Sequence, residues 1–424
     1  SAVLSDCWGS TAGEAHSNEL IVATAGVTTK WSLTGAEGPF DLDVQPSFAT
    51  PGIYTNWCEL TAAGKETLVL RGIVGLRAAD GDYYVAADGD DKTGLGTADR
   101  PFATPEKALA NVRDGYGVRI GAGKYKTFGL VLDRAVALVG DESDPSRVVL
   151  DAGQLGRTLK IADEAVRVSG VTIKGGFASS GANVYMTAGV VSNCVLTGGN
   201  GSDNGGNAYV GGGQIVDSQI LNGSARRGGG AAVSGRGRIL RCLFKGNSVT
   251  DSGGGVSING SGVVESSFFT GNSGRYGSGV QLDSMDARLV NCTVAGNAAG
   301  YGSASQVWNE TNGGNALNCV VVGGYYIKKG TISYCALDLT PREETTGTKS
   351  SDHNVTVDSS IFEDTTAYRP KKGTDLQGKG SNLGYSAHAV STTDYEGSPR
   401  RQGARIDIGH IELPPKDGTL LFVR

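Results

Sequence analysis

The stretch Ile239-Leu-Arg-Cys242-Leu-Phe244-Lys-Gly-Asn247, followed by Gly253-Gly-Gly-Val-Ser-Ile258, returns at once as Val263-Val-Glu-Ser-Ser267-Phe-Phe269-Thr-Gly-Asn272 and Gly277-Ser-Gly-Val-Gln-Leu282. Working outward, the same short apolar segment recurs as Val190-Val-Ser-Asn-Cys194-Val-Leu196, Ile215-Val-Asp-Ser218-Gln-Ile-Leu221, Leu289-Val-Asn-Cys292-Thr-Val294 and Ala316-Leu-Asn-Cys319-Val-Val321. Its small residue falls at 194, 218, 242, 267, 292 and 319, in steps of 24, 24, 25, 25 and 27. One step earlier, Gly170 in Val168-Ser-Gly-Val-Thr-Ile173 keeps the register.

A period of this length marks a stacked repeat. Each coil reads as strand, asparagine turn, loop, glycine turn and second strand. Parallel strands that return once per coil stack about 4.8 Å apart. One coil cannot bury its apolar face alone, so its neighbours complete a continuous core. The expected fold is therefore all-β, a right-handed parallel β-helix solenoid. The small residues should form an inward column, with Cys194, Cys242, Cys292 and Cys319 acting as small buried hydrophobes. Metal binding would ask for close cysteine pairs such as C-x₂-C, and the sequence has none. Asn247, Asn272 and Asn297 each follow a glycine. They are predicted to stack as a ladder at an outward turn, because asparagine tolerates left-handed backbone and its amide can bond both neighbours.

Composition agrees. Glycine contributes 67 of 424 residues and proline only 11, with no collagen-like period. An apolar share of 39% argues against disorder. The net charge of −5 argues against a nucleic-acid partner, which would call for a basic stripe. No apolar run is long enough for a transmembrane helix. The opening Ser1-Ala2-Val3 has no basic leader, and the chain is expected to work outside the cell or at the cell surface.

Outside the repeats the pattern changes. Residues 1–80 carry strand-like runs between Gly/Pro turns and are expected to form a small β-domain, sandwich-like in character. Cys7 and Cys58 lie there, apart from the other five cysteines, and are the candidate disulfide pair. Residues 81–335 are assigned to the β-helix, opened by a capping helix near 105–112, with Thr104 as cap and Pro105 in its first turn. Residues 336–424 hold an irregular insert and a closing module.

Several motifs carry a family resemblance. Gly89 to Tyr125 looks like the opening module of bacterial secreted right-handed β-helix proteins of the pectate-lyase-like superfamily. Phe244-Lys-Gly-Asn247 and Phe269-Thr-Gly-Asn272 resemble repeats of polymorphic outer-membrane and surface β-helix proteins. Asp394-Tyr-Glu-Gly-Ser-Pro-Arg400 with Asp407-Ile-Gly409-His-Ile-Glu412 is similar to the family's closing module, with His410 where alanine is usual. The resemblance implies a fold. It does not imply one activity, because such folds serve lyases, glycosidases, adhesins and structural proteins.

Lyases of this kind need a base and clustered carboxylates for calcium, and hydrolases need paired carboxylates. The family signatures Asn-Thr-Asp, Asp-Asp, Gly-His-Gly and Arg-Ile-Lys are missing from the coils. Asp90-Asp91 sits in the opening turn and reads as a turn-forming pair. Asp203, Asp217, Asp251, Glu265, Asp283, Asp286 and Glu310 are spread along the coils, while His16, His353, His388 and His410 all lie outside them. No cofactor is called for, and calcium is the one ion that the lyase resemblance leaves open.

The residues before the glycine clusters, Asn204, Arg227, Ser252, Tyr276 and Tyr301, form one column, with Arg226 and Arg275 beside it. Tyrosine faces and guanidinium groups at a regular step suit an acidic glycan. The apolar end, Gly418-Thr-Leu-Leu-Phe-Val-Arg424, suits either capping of the last coil or strand addition to a like subunit, a route to homo-assembly. Two functions follow as expectations. The first is a structural, adhesive or self-assembling surface protein that binds glycans through Arg226, Arg227, Arg275, Tyr276 and Tyr301. The second is a polysaccharide lyase or glycoside hydrolase acting on an acidic glycan, its cleft walled by residues 336–366.

Overall fold

The computed structural model describes residues 2–5, 7–11, 16–22, 27–50, 52–77, 81–299, 306–309, 312–338, 353–364, 368–374, 376–383, 386, 391–400 and 405–414. The chain forms two compact units. The first comprises residues 1–123 with 136–138, and the second residues 124–135 with 139–424.

In the first unit, the long strands Gly52–Thr61 and Leu68–Arg77 pair antiparallel. Thr28–Ser32 joins one side antiparallel, and Cys7–Thr11 joins the other side parallel. A separate ribbon pairs Ala2–Ser5 with Glu19–Val22. Trp31, Cys58 and Leu60 form the buried centre. The Asn18 amide ties the ribbon to the sheet, donating to the carbonyls of Ser5 at 2.7 Å and Ile73 at 2.9 Å.

The expected disulfide does not form. Cys7 and Cys58 are both thiols. Cys7 lies opposite Val74, and Val74 opposite Tyr54, whereas Cys58 lies opposite Leu70. They are thus two strands apart, about 10 Å, and four residues out of register. A disulfide spans Cα atoms at most ~7 Å apart. Cysteine count could not reveal this, because strand order places the intervening strand.

The first unit also holds helix α1, Pro105–Asn111, packed against strands Tyr83–Val85 and Gly117–Ile120. The Thr104 side chain accepts from the Lys107 N–H at 3.3 Å, and Pro105 supplies the first turn. Asp91 fixes the cap in turn, accepting from the Ala103 N–H at 2.8 Å and the Thr104 hydroxyl at 2.6 Å. Asp90 accepts from the Lys92 N–H at 2.6 Å. Both carboxylates of this pair therefore brace the loop.

The second unit is a parallel β-helix. Coil 231–255 shows the path: strand Ala231–Val233, strand Arg238–Leu240, a corner at Arg241, strand Leu243–Lys245, the Gly246-Asn247 turn, strand Ser248–Ser252, then Gly253-Gly-Gly. Each strand pairs in parallel with its counterpart one coil on, which gives four stacked sheets. Sheet I runs from Leu130–Leu132 to Tyr325–Ile327, sheet II continues through Thr331–Ser333, sheet III through Val355–Val357, and sheet IV from Phe177–Ser180 to Ala298–Ala299.

Alternation decides which residues face in. Sheet I turns its first and third residues inward, as with Val256 and Ile258, both at 0% exposure. Sheets II and III turn their middle residues inward, as with Ile239 and Phe244. Stacking then piles like on like, and the Phe244 and Phe269 rings lie 4.4 Å apart. The corner between sheets II and III is a single left-handed residue, repeated as Asn193, Asp217, Arg241, Ser266, Asn291, Asn318 and Tyr334 with φ of 48° to 54°.

The residue after that corner is the small one of the repeat. Cys194, Ser218, Cys242, Ser267, Cys292 and Cys319 are all buried, and Cys335 extends the column. Burial pushes the Cys194 and Cys242 thiols up to about 12.

The asparagines lie inside the helix rather than at an outward turn. Asn247 and Asn272 have 0% exposure and Asn297 has 8%. The Asn247 Nδ2 donates to Asn272 Oδ1 at 2.9 Å, and Asn272 Nδ2 to Asn297 Oδ1 at 2.8 Å. The ladder is longer than the three sequence matches, since Asn183 donates to Asn207 at 2.8 Å, Asn207 to Asn247 at 3.3 Å and Asn297 to Gln306 at 2.7 Å. Asn183, Asn207 and Gln306 come from the other side of the turn, where the coils between Asn207 and Gln306 have Gly230, Gly255 and Gly279. A Cβ at Gly279 would come within 3.2 Å of the Asn297 amide nitrogen. In the bends that hold Asn247 and Asn272 one amide fills the space and a glycine faces it, whereas Asn297 and Gln306 share a bend and Asn207 and Asn247 meet across the bend of Gly223.

The closing module packs on sheet III, where Val357, Ile361, Phe362, Leu376 and Ile408 meet Val320 and Ala336. Arg400, 1% exposed, reaches the corner column, donating to the Ser266 hydroxyl at 3.0 Å and to the carbonyls of Gly409 at 2.8 Å and His410 at 2.9 Å. His410 stacks on Phe268 at 5.1 Å and shares a hydrogen bond of 2.7 Å with the Thr293 hydroxyl. Burial, and then the Arg400 charge, lower its pKa to about 3.

Candidate functional site

Alternation leaves one residue per strand pointing outward from sheet I. That row reads Lys160, Tyr185, Tyr209, Ala232, Ser257, Gln281, Trp308 and Tyr326. The last coils of sheet III carry the closing module, whereas sheet I keeps a groove of about 330 Å³. The groove is lined by Arg227, Asp251, Ser252, Tyr276, Gln281, Asp283, Trp308 and Asn312. Arg227 ends the sheet IV strand Ser224–Arg227, Asp251 and Ser252 end the next one, Ser248–Ser252, and Tyr276 takes the matching place one coil further on, where its N–H donates to the Asp251 carbonyl at 3.0 Å. Asp283 directly follows the sheet I strand Val280–Leu282, on the opposite flank.

Gln281 forms the floor, its Oε1 accepting from the hydroxyls of Ser252 at 2.7 Å and Ser257 at 3.0 Å. Trp308 is held in an aromatic stack, with its ring 4.8 Å from Tyr276 and 4.1 Å from Tyr326. Asp283 accepts from the Asn312 amide at 3.0 Å. Asp251 accepts from Arg227 Nε at 3.1 Å and, on its outer side, faces Arg226 at 3.5 Å. The arrangement is a polar trough with one aromatic end, two carboxylates on opposite flanks and one guanidinium.

The structure brings Arg227 and Tyr276 into this groove. Arg226 turns to Asp203, donating from Nη2 at 2.6 Å and Nε at 2.8 Å, and remains exposed outside the lining. Arg275 lies over the Tyr276 ring at 5.0 Å. Tyr301 and the strand-like end 418–424 lie outside the described residues, as do His388 and residues 339–352 of the insert. Asp217 is bound by Arg241 at 2.6 Å, and Glu265 is buried, accepting from the Ser391 N–H at 3.2 Å. Among the described residues, no set of three His, Cys, Asp or Glu side chains is arranged to hold a metal ion. None of the described helices is long and apolar enough to cross a membrane.

Sequence reasoning found the Arg/Tyr column but missed Gln281, Trp308 and Asn312. The missing signal was the outward position of each sheet I strand. Once Val280-Gln-Leu282 and Val307-Trp-Asn309 are aligned, their middle residues fall in one row.

No protein-family model matches the sequence, and neither does any curated protein. Among solved structures, the pectate lyase Pel9A superposes with a TM-score of 0.53 at 12% identity, covering 79% of this chain and 97% of that one. A rhamnogalacturonan lyase matches with a TM-score of 0.28 at 16% identity, over 62% of this chain and 75% of that one. A pectin methylesterase from carrot matches with a TM-score of 0.30 at 12% identity, over 66% and 84%. The likeness to Pel9A is one of fold.

Proposed function

We propose that this pectate-lyase-like parallel β-helix works outside the cell, binding and hydrolysing a polysaccharide laid in the sheet I groove. One observation carries the reading: Asp251 and Asp283 stand on opposite flanks of a trough whose floor is Gln281 and whose end is Trp308. The enzyme reading, carried as the alternative at the level of sequence, is favoured over the adhesive one by this pairing and by the fold shared with a polysaccharide lyase.

Hydrolysis of a glycosidic bond needs a carboxyl group that gives a proton to the leaving oxygen and a carboxylate that takes one from the attacking water. Asp283, on the flank away from the guanidinium groups, is assigned the acid role. Asp251, held beside guanidinium groups, takes the base role. Water adds across the bond: the proton of Asp283 goes to the leaving oxygen, a proton of the attacking water goes to Asp251, and the two carboxyl groups end with their protonation states reversed.

The charge of the lining narrows the substrate. Arg227 stands against Asp251 and Asp283, one positive group against two negative. A polyanion would have to displace Asp251 from Arg227. An uncharged or esterified chain is therefore the better fit, in place of the acidic glycan expected from the arginines alone.

The test is a panel of methyl-esterified pectin, polygalacturonate and a neutral glucan, assayed for binding and for new reducing ends. Esterified or neutral polymer is expected to bind best and to be cut, with turnover falling at least a hundredfold in Asp251→Asn and Asp283→Asn while binding persists. Binding without cleavage would restore the adhesive reading. Unsaturated products would replace hydrolysis with elimination, and no binding to any polymer would end the proposal.

A further inference from the structure

The outward row of sheet I has a second aromatic element that the groove does not use. Tyr185 and Tyr209 stack with centroids 4.9 Å apart and planes 7° from parallel. Arg157 covers the free side of Tyr185 at 4.8 Å from its ring. The Tyr209 hydroxyl is anchored by Ser234 at 2.8 Å. The ring is therefore fixed in orientation before any ligand arrives. Its other face looks along the row toward Ala232, whose side chain is a single methyl group.

From Tyr209 the row continues through Ala232, Ser257 and Gln281 to Trp308, four strand steps. At about 4.8 Å per step, the two aromatic elements stand about 19 Å apart. The residues between them are small or lie low in the row, and Ser257 already bonds the groove floor. A rigid, half-buried phenol ring facing a run of small residues is an apolar platform with a polar tip, the chemistry that takes the flat face of a sugar ring.

We infer that Tyr209 is a remote sugar-stacking subsite, and that the ligand is a chain long enough to run from Trp308 to Tyr209. This deepens the polysaccharide reading above and rests on it. Its consequence is a length dependence. Oligosaccharides that fill only the groove bind independently of Tyr209, while chains that span about 19 Å gain affinity from it.

The experiment measures dissociation constants for size-graded, methyl-esterified oligogalacturonates with the intact protein and with Tyr209→Ala and Tyr209→Phe. For long oligomers, Tyr209→Ala should weaken binding about tenfold, whereas Tyr209→Phe, which keeps the face, should stay within about threefold of the unaltered protein. Short oligomers should bind both variants as they bind the unaltered protein, a result a misfolded variant would not give. Equal affinity of Tyr209→Ala for every length overturns the Tyr209 subsite and leaves the groove standing. An equal loss at every length overturns it too, because Tyr209 would then act on the groove itself. No binding of any oligomer overturns both this inference and the proposed function.

Discussion

Two columns run along the same coils at the same step and differ in every other respect. The inner one is the amide ladder through Asn247, Asn272 and Asn297, where each side chain is buried and bonded to the next. The outer one is the Arg/Tyr column with its carboxylates, where Arg226 and Arg227 bond Asp203 and Asp251 in partial exposure to solvent. Inside, an amide that loses a partner has no water to replace it, so the ladder must stay continuous: the bend with Gly223 and Gly230 on its two sides is filled by Asn207 and Asn247 from the neighbouring coils. Outside, where solvent reaches the side chains, water substitutes for a lost partner, so the residue is free to vary from Asn204 to Arg227 and Tyr276. Regularity therefore marks the part that holds the fold, and variation marks the part available for chemistry.

The inner column is where one substitution should cost most. Asn272 Oδ1 accepts from the Asn247 N–H at 3.0 Å and the Asn247 amide at 2.9 Å, while Asn272 Nδ2 donates to the Phe244 carbonyl at 3.0 Å and to Asn297. Asn272→Ala leaves donors and acceptors unpaired on both sides of one bend. The expected loss is roughly 3–5 kcal/mol of unfolding free energy, read from urea denaturation. A loss below about 1 kcal/mol would mean that water enters the bend, and the contrast between the two columns would collapse.

That contrast also explains what the sequence could and could not convey. The coil, its small column and the Asn247, Asn272 and Asn297 positions were legible because burial forces one residue type to return at one spacing. Asn207 and Gln306 were not, because they do the same work from the opposite side of the turn, and alignment by strand separates them from the asparagines they bond. In the first unit nothing repeats, so the register that keeps Cys7 from Cys58 had no trace in spacing. In the candidate site, Arg227 and Tyr276 were visible as neighbours of glycine clusters. Gln281 and Trp308 were hidden as single middle residues among valines, and only the pleat shows that they face outward.

The thiol column offers a milder way to sharpen the comparison. Burial raises Cys194 and Cys242 from an ordinary value near 9 to about 12. In the unfolded chain these thiols ionise first, so the unfolded state loses protons that the folded state retains. Their contribution to stability is complete below pH about 9 and declines as pH rises toward about 12. Unfolding monitored by circular dichroism should therefore steepen within that alkaline window, and Cys194→Ala should flatten part of it. Alkylation by iodoacetamide at neutral pH should spare the whole column until the protein unfolds. Rapid labelling of Cys242 in the folded protein would show that the coils open locally.

The smallest effect belongs to the outer column. Arg226 bonds Asp203 at 2.6 Å and faces Asp251 at 3.5 Å, with 44% of its side chain exposed. Two side chains held in one geometry lose rotamer freedom, and solvent screens what the charges gain, so such pairs are worth under about 1 kcal/mol. Arg226→Ala should therefore change stability by less than that, and the difference should fade in high salt. Its effect on the groove should be of another kind. Asp251 would keep Arg227 as partner but lose its second guanidinium, leaving the lining more negative. Binding of polygalacturonate should weaken relative to esterified pectin, while the melting temperature hardly moves. A large drop in stability with no change in that preference would place Arg226 among the residues that hold the fold, and the division between the two columns would have to be redrawn one residue further out.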